Sequence, residues 1–103
     1  MKRRSVDIEQ GNDAVAGLAE AMVRLRMPAQ MQAFLEDLCT PAELEAMTDR
    51  WKVVPLLLEG VPYREIHDRT LVSVTTIGRV ARTLDRGAGG YAAAIKRRAP
   101  RAV

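Results

Sequence analysis

The stretch Pro62-Tyr63-Arg64-Glu65-Ile66-His67-Asp68-Arg69-Thr70-Leu71-Val72-Ser73-Val74-Thr75-Thr76-Ile77-Gly78-Arg79-Val80-Ala81-Arg82-Thr83-Leu84-Asp85-Arg86 reads as two short helices joined by a tight turn. The first runs from Pro62 to about Thr70, the turn is Leu71-Val72-Ser73, and the second runs from Val74 to Arg86 with Ser73 as its N-cap. Two such helices must pack on each other, and Ile66, Val72, Ile77 and Val80 stand where that packing is needed. The other face of the second helix carries Thr75, Thr76, Gly78, Arg79, Arg82 and Arg86, with no acid on it before Asp85. Small, hydroxylic and cationic side chains suit an approach to base edges and phosphates. Arginine pairs bidentately with guanine, and threonine meets a thymine methyl or a phosphate. Arg64 and His67 on the first helix, and Ser73 and Val74 at the start of the second, complete the expected contact set. On spacing alone, a plain helical hairpin within a bundle fits the same residues.

Working toward the N-terminus, Thr40-Pro41-Ala42-Glu43 is a capping box with proline at the first helical position. Leu44, Met47, Trp51, Val54 and Leu58 follow at helical spacing and predict one buried face, ended by a left-handed Gly60. Pro55 cannot donate to the carbonyl of Trp51, so a kink or break is expected there. Pro28 predicts the start of an earlier helix with Met31, Phe34, Leu35 and Leu38 on its stripe. Asn12 or Asp13 predicts the start of another, through Ala14, Leu18, Met22 and Leu25, leaving residues 1–11 as a disordered polar tail. Beyond the central stretch, Gly87-Ala88-Gly89-Gly90 stops the second motif helix. Tyr91 to Arg98 then reads as a last short helix, and 99–103 as a tail. The expected fold is all-α, five to six helices in a single domain over 12–98.

The 103 residues bound the function as well. A chain this short buries only about 60–65% of its unfolded surface, so a dimer interface is a natural stabiliser. Residues 1–60 hold seven Lys/Arg against ten Asp/Glu, giving −3, whereas 61–103 hold nine against three, giving +6. A polyanion would bind the second part. The basic ends, Lys2-Arg3-Arg4 and Lys96-Arg97-Arg98 with Arg101, either add non-specific affinity for it or serve as solubilising tails. No apolar run approaches the roughly 20 residues that span a bilayer, and the start lacks a signal-peptide pattern, so a cytoplasmic protein is expected. Cys39, the only cysteine, is expected to be a buried, inert thiol, and His67, the only histidine, has no partner at metal-ligand spacing. No nucleophile–base pair or phosphate-binding glycine loop is present, so neither an enzyme, a cofactor nor a metal is expected.

Several segments together resemble the Trp repressor superfamily: Thr40-Pro41-Ala42-Glu43-Leu44, Arg50, Leu57-Leu58-Glu59-Gly60, Arg64-Glu65-Ile66 and Val74-Thr75-Thr76-Ile77-Gly78-Arg79. Phe34-Leu35-Glu36-Asp37-Leu38-Cys39-Thr40 and Gly87-Ala88-Gly89-Gly90-Tyr91 look more like its YerC/YecD-type branch. The resemblance covers about residues 28 to 97. It implies an intertwined all-helical homodimer that binds a near-palindromic stretch of double-stranded DNA and represses transcription. It also implies an effector pocket made of a Thr and two Arg, matched by Thr40, Arg50 and Arg79, with Thr83 where the repressor has a Ser. Val80 stands where the repressor has the glycine that admits the indole, so a tryptophan corepressor is not expected. The motif departs from the usual pattern at Leu71, where glycine commonly supplies a positive φ. Leucine there costs about 1 kcal/mol in the same turn, and a remodelled turn is expected. Leu71 and Pro55 leave open a helical protein-interaction module without specific DNA binding, and Arg50 and Arg79 leave open a repressor gated by a non-tryptophan effector.

Overall fold

A computed structural model describes residues 4–98, with side chains described over 13–96. Six helices and no strand are present among them: α1 (Arg4–Val23), α2 (Pro28–Leu38), α3 (Pro41–Leu58), α4 (Tyr63–Thr70), α5 (Val74–Arg86) and α6 (Gly90–Arg98). The all-α expectation holds. The tail expected at 99–103 lies outside the described residues, as do residues 1–3. The chain divides into two compact units between Thr40 and Pro41.

The first unit contains α1 and α2. α1 begins at Arg4, ahead of the start expected at Asn12 or Asp13, so residues 4–11 are helical rather than a tail. Asn and Asp cap a helix only where the preceding chain is extended; here both lie inside one. α1 also stops at Val23, before Leu25. α2 starts as expected with Pro28 in its first turn, where the missing N–H has no intrahelical partner to lose. Across this unit no described side chain is fully buried. Val15, Val23, Met27 and Leu38 are exposed, and Cys39 is half-buried rather than buried as expected.

The second unit has a dry core. Val53 and Val54 of α3, Ile66 of α4, Val72 of the turn, and Ile77 and Val80 of α5 are all buried. Leu56, Leu57, Val61, Leu84, Tyr91 and Ile95 pack around them. On the face of α3 expected to run from Leu44 to Leu58, Val54 is buried as expected, but Met47, Trp51 and Leu58 are exposed, and Val53, outside that stripe, is buried. The reason is where α3 is covered within this unit: α4, α5 and α6 pack on it, and they take up its C-terminal valines.

α3 is unbroken through Pro55, contrary to the expected break. Proline removes one donor, the one that Trp51 would have accepted, and it does so in the last turn, where the helix has little left to lose. The end of α3 is tied off immediately afterwards. Gly60 adopts φ 81°, its N–H donates to the Leu57 carbonyl (3.0 Å), and the Val61 N–H donates to the Leu56 carbonyl (3.0 Å). This is the Schellman pairing, which needs the left-handed residue that glycine supplies at no steric cost. It reverses the chain so that α4 can start one residue after Pro62.

Candidate nucleic-acid interface

α4, the turn and α5 form the helix-turn-helix at the positions read from the sequence. Ser73 caps α5: its Oγ accepts the Thr76 N–H at 3.1 Å and donates to Thr76 Oγ1 at 3.1 Å. The inner face of α5 is sealed into the core by Ile77 and Val80, with Leu84 beside them. Those contacts leave Thr75, Arg79, Arg82 and Arg86 exposed on the other side, with Thr76 and Gly78 half-covered. At the far end, Gly87 closes α5 with its N–H on the Thr83 carbonyl (2.7 Å). A Cβ there would lie 2.5 Å from that same oxygen, so only glycine fits.

The turn keeps its left-handed residue although that residue is leucine. Leu71 has φ 66° and ψ 8° and is 82% exposed, so the remodelling expected from the missing glycine does not occur. Four bonds around it fix the conformation against its steric cost. The Leu71 N–H donates to the His67 carbonyl (2.7 Å), and the Val72 N–H donates to Thr70 Oγ1 (3.1 Å). Thr70 Oγ1 donates to the Ile66 carbonyl (2.7 Å), and His67 Nδ1 lies 2.8 Å from the Val72 carbonyl. A carbonyl can only accept, so Nδ1 carries the proton. His67 was expected as a solvent or phosphate contact. It is half-buried, with one ring nitrogen committed to the turn, because the reversal brings the residue 72 carbonyl back over α4.

The charge pattern is as informative as the packing. Arg69 pairs with Glu65 (3.2 Å) and Arg86 lies 3.7 Å from Asp85, both at exposed positions. Among the described residues no carboxylate lies within ion-pair distance of Arg64, Arg79 or Arg82. Arg79, Arg82, Thr83 and Arg86 share one shallow depression with Gly87. Arg64 shares a second with Tyr63, His67, Asp68 and Val74. Ser73 is solvent-exposed but spends its hydroxyl on the cap, and Val74 shows its side chain to solvent in the first turn of α5. Tyr63, at the start of α4 and outside the contact set expected from the pattern, is exposed, with its ring 3.9 Å from where a Cβ on Gly78 would stand.

Of the expected effector residues, Arg79 and Thr83 are one turn apart on α5, where Thr83 Oγ1 donates to the Arg79 carbonyl (3.0 Å). Arg50 is half-buried on α3, and Thr40 lies in the other unit. Val80 is fully buried in the core and fills the space beneath this part of α5. No group of His, Cys, Asp or Glu among the described residues could hold a metal ion, and no described helix is long and apolar enough to cross a membrane.

The fold and this surface define a class: an all-helical helix-turn-helix protein with a cationic second helix. Residues 13–99 match the family described as Trp repressor protein. The chain is also similar to the uncharacterised protein YerC of Bacillus subtilis (strain 168), with 34% identity over 80 residues, covering 78% of this chain and 77% of YerC. The chain belongs to the Trp repressor family.

Proposed function

We propose that this chain is a sequence-specific DNA-binding transcriptional regulator that represses by occupying a near-palindromic site as a homodimer. One observation carries the DNA reading. α5 buries one face completely and offers on the other a set of arginines, with Arg79 and Arg82 neutralised by no described carboxylate. A cation left without an internal partner is stabilised by an anion from outside, and a duplex supplies one at every phosphate. In this scheme Arg79, Thr75, Thr76 and Val74 meet the major groove, with Gly78 and Arg82 at its edge beside the backbone. Arg64 and Arg86 meet the flanking backbone, and His67 and Ser73 hold the motif in shape. Membership of a family of helical DNA-binding regulators supports the same reading.

Exposed apolar side chains support the dimer. Val15, Val23 and Leu38 in the first unit, and Met47, Trp51 and Leu58 on α3, leave apolar surface that a second copy would cover. Two copies related by a two-fold axis would set their α5 helices about 34 Å apart, one turn of DNA. That α3 runs unbroken through Pro55 and that the turn keeps its left-handed residue at Leu71 both support the DNA reading.

Selection of bound duplexes from a random pool tests the proposal, followed by a salt titration of the best duplex against a scrambled one. The expected result is a near-palindromic winner, preferred about a thousandfold, whose affinity Arg79→Ala lowers without loss of helicity. Weak binding that fades equally for both duplexes as salt rises would overturn it.

A further inference from the structure

Tyr63 opens α4 and is 42% exposed, on the same side of the motif as the arginines of α5. Its ring reaches across to the recognition helix, where Cε2 lies 3.9 Å from the point a Cβ on Gly78 would occupy. Arg82 Nη1 approaches the same point to 3.6 Å. Both are ordinary van der Waals distances, so alanine would fit at 78 in the free chain with nothing displaced. Gly78 is not among the positive-φ residues, so its backbone does not require glycine either. A glycine within a helix destabilises it relative to alanine. The free protein thus bears a cost at Gly78 that nothing inside it explains, and what the missing side chain leaves is a gap about one methyl wide, with a phenol ring on one side and a guanidinium on the other.

We propose that Tyr63, Gly78 and Arg82 form a slot that seats one phosphate oxygen of the duplex backbone. The Tyr63 hydroxyl donates to a phosphate oxygen, Arg82 pairs with the phosphate from the other side, and Gly78 lets the backbone come close to α5. Tyr63 is then a positioning residue for DNA that the arginine pattern does not reveal. The proposal rests on the DNA-binding reading above.

Full-length Tyr63→Phe, Gly78→Ala, the double variant and Arg82→Ala are titrated with the duplex that the wild type selects, at several salt concentrations. Thermal melts of each free protein accompany the titrations. Tyr63→Phe is expected to weaken binding about tenfold with its melting temperature and salt slope unchanged, since one hydrogen bond to a charged group is lost but no cation. Arg82→Ala is expected to reduce the salt slope by about one. Gly78→Ala is expected to raise the melting temperature and still weaken binding. The double variant is expected to bind no worse than Gly78→Ala alone, because a methyl has already closed the slot. Wild-type affinity in Tyr63→Phe or Gly78→Ala, additive losses in the double variant, or a lowered melting temperature in Tyr63→Phe would overturn the slot and leave the DNA reading standing. A wild type that selects no duplex would remove the DNA reading itself, and the slot with it.

Discussion

The two units of this chain are built from similar helices and solve burial in opposite ways. From Pro41 onward, helices and a turn bring six apolar side chains out of water altogether. Up to Thr40, two helices with comparable apolar content bury no described side chain fully. The second unit gains its stability within one chain; the first has apolar surface still to place. Under the proposed function this division has a use: the packed unit presents α5, and the apolar stripes left open in the other are available to join two copies.

Four substitutions sharpen or break this contrast. The largest effect is expected at Ile77, which is fully buried on the inner face of α5. Ile77→Ala should lower stability by about 2–5 kcal/mol in urea or thermal unfolding. A loss below about 1 kcal/mol would mean that the core of the second unit is not what holds it.

Next is Val15→Glu in α1, at a site 69% exposed in the single chain. If a second copy covers this stripe, the charge should weaken self-association at least tenfold in sedimentation, about 1.4 kcal/mol or more, and make the melting temperature lower and less dependent on concentration. A surface valine would tolerate the change to within about 0.5 kcal/mol, which would erase the proposed difference between the units.

His67→Ala is expected to cost about 1–2 kcal/mol by leaving the Val72 carbonyl without its donor. Its effect on DNA should follow from the loosened turn, so affinity should recover as temperature is lowered. Leu71→Gly should have the smallest effect and the opposite sign. Relief of the left-handed leucine is worth about 1 kcal/mol, partly offset by the greater freedom of glycine in the unfolded chain. A net gain in melting temperature of a few degrees or less is expected.

Most of the second unit was legible in the sequence because its signals are local and chemical. Ser73, Gly60 and Pro62 each do where they stand what their side chains allow. Ile66, Val72, Ile77 and Val80 are buried as their spacing demanded. Three features were not legible. Asn12 and Asp13 carry cap chemistry, but whether they cap depends on the residues before them, and Arg4 to Gly11 are already helical. The apolar stripe of α3 announces a face without saying what covers it, so Val53 could not be told from Leu58. The bond from His67 to Val72 joins residues across a reversal, where neither helical nor strand periodicity applies. At the interface the residue types read correctly as cationic and small. Tyr63 was invisible because its place beside Gly78 arises only once α4 and α5 cross.

Trp51 is the only indole in the chain; it is 38% exposed on α3, with its ring centroid 6.3 Å from that of Tyr91 on α6. The protein therefore carries its own optical probe at a chosen place. Indole emission shifts with the wetness of its surroundings, so covering this face by a second copy changes its colour without any added label. The same pair reports loss of the α3–α6 contact when the chain melts, and the arginines of α5 lie on a different helix from either ring. The proposed assembly can then be followed in one cuvette by indole emission alone.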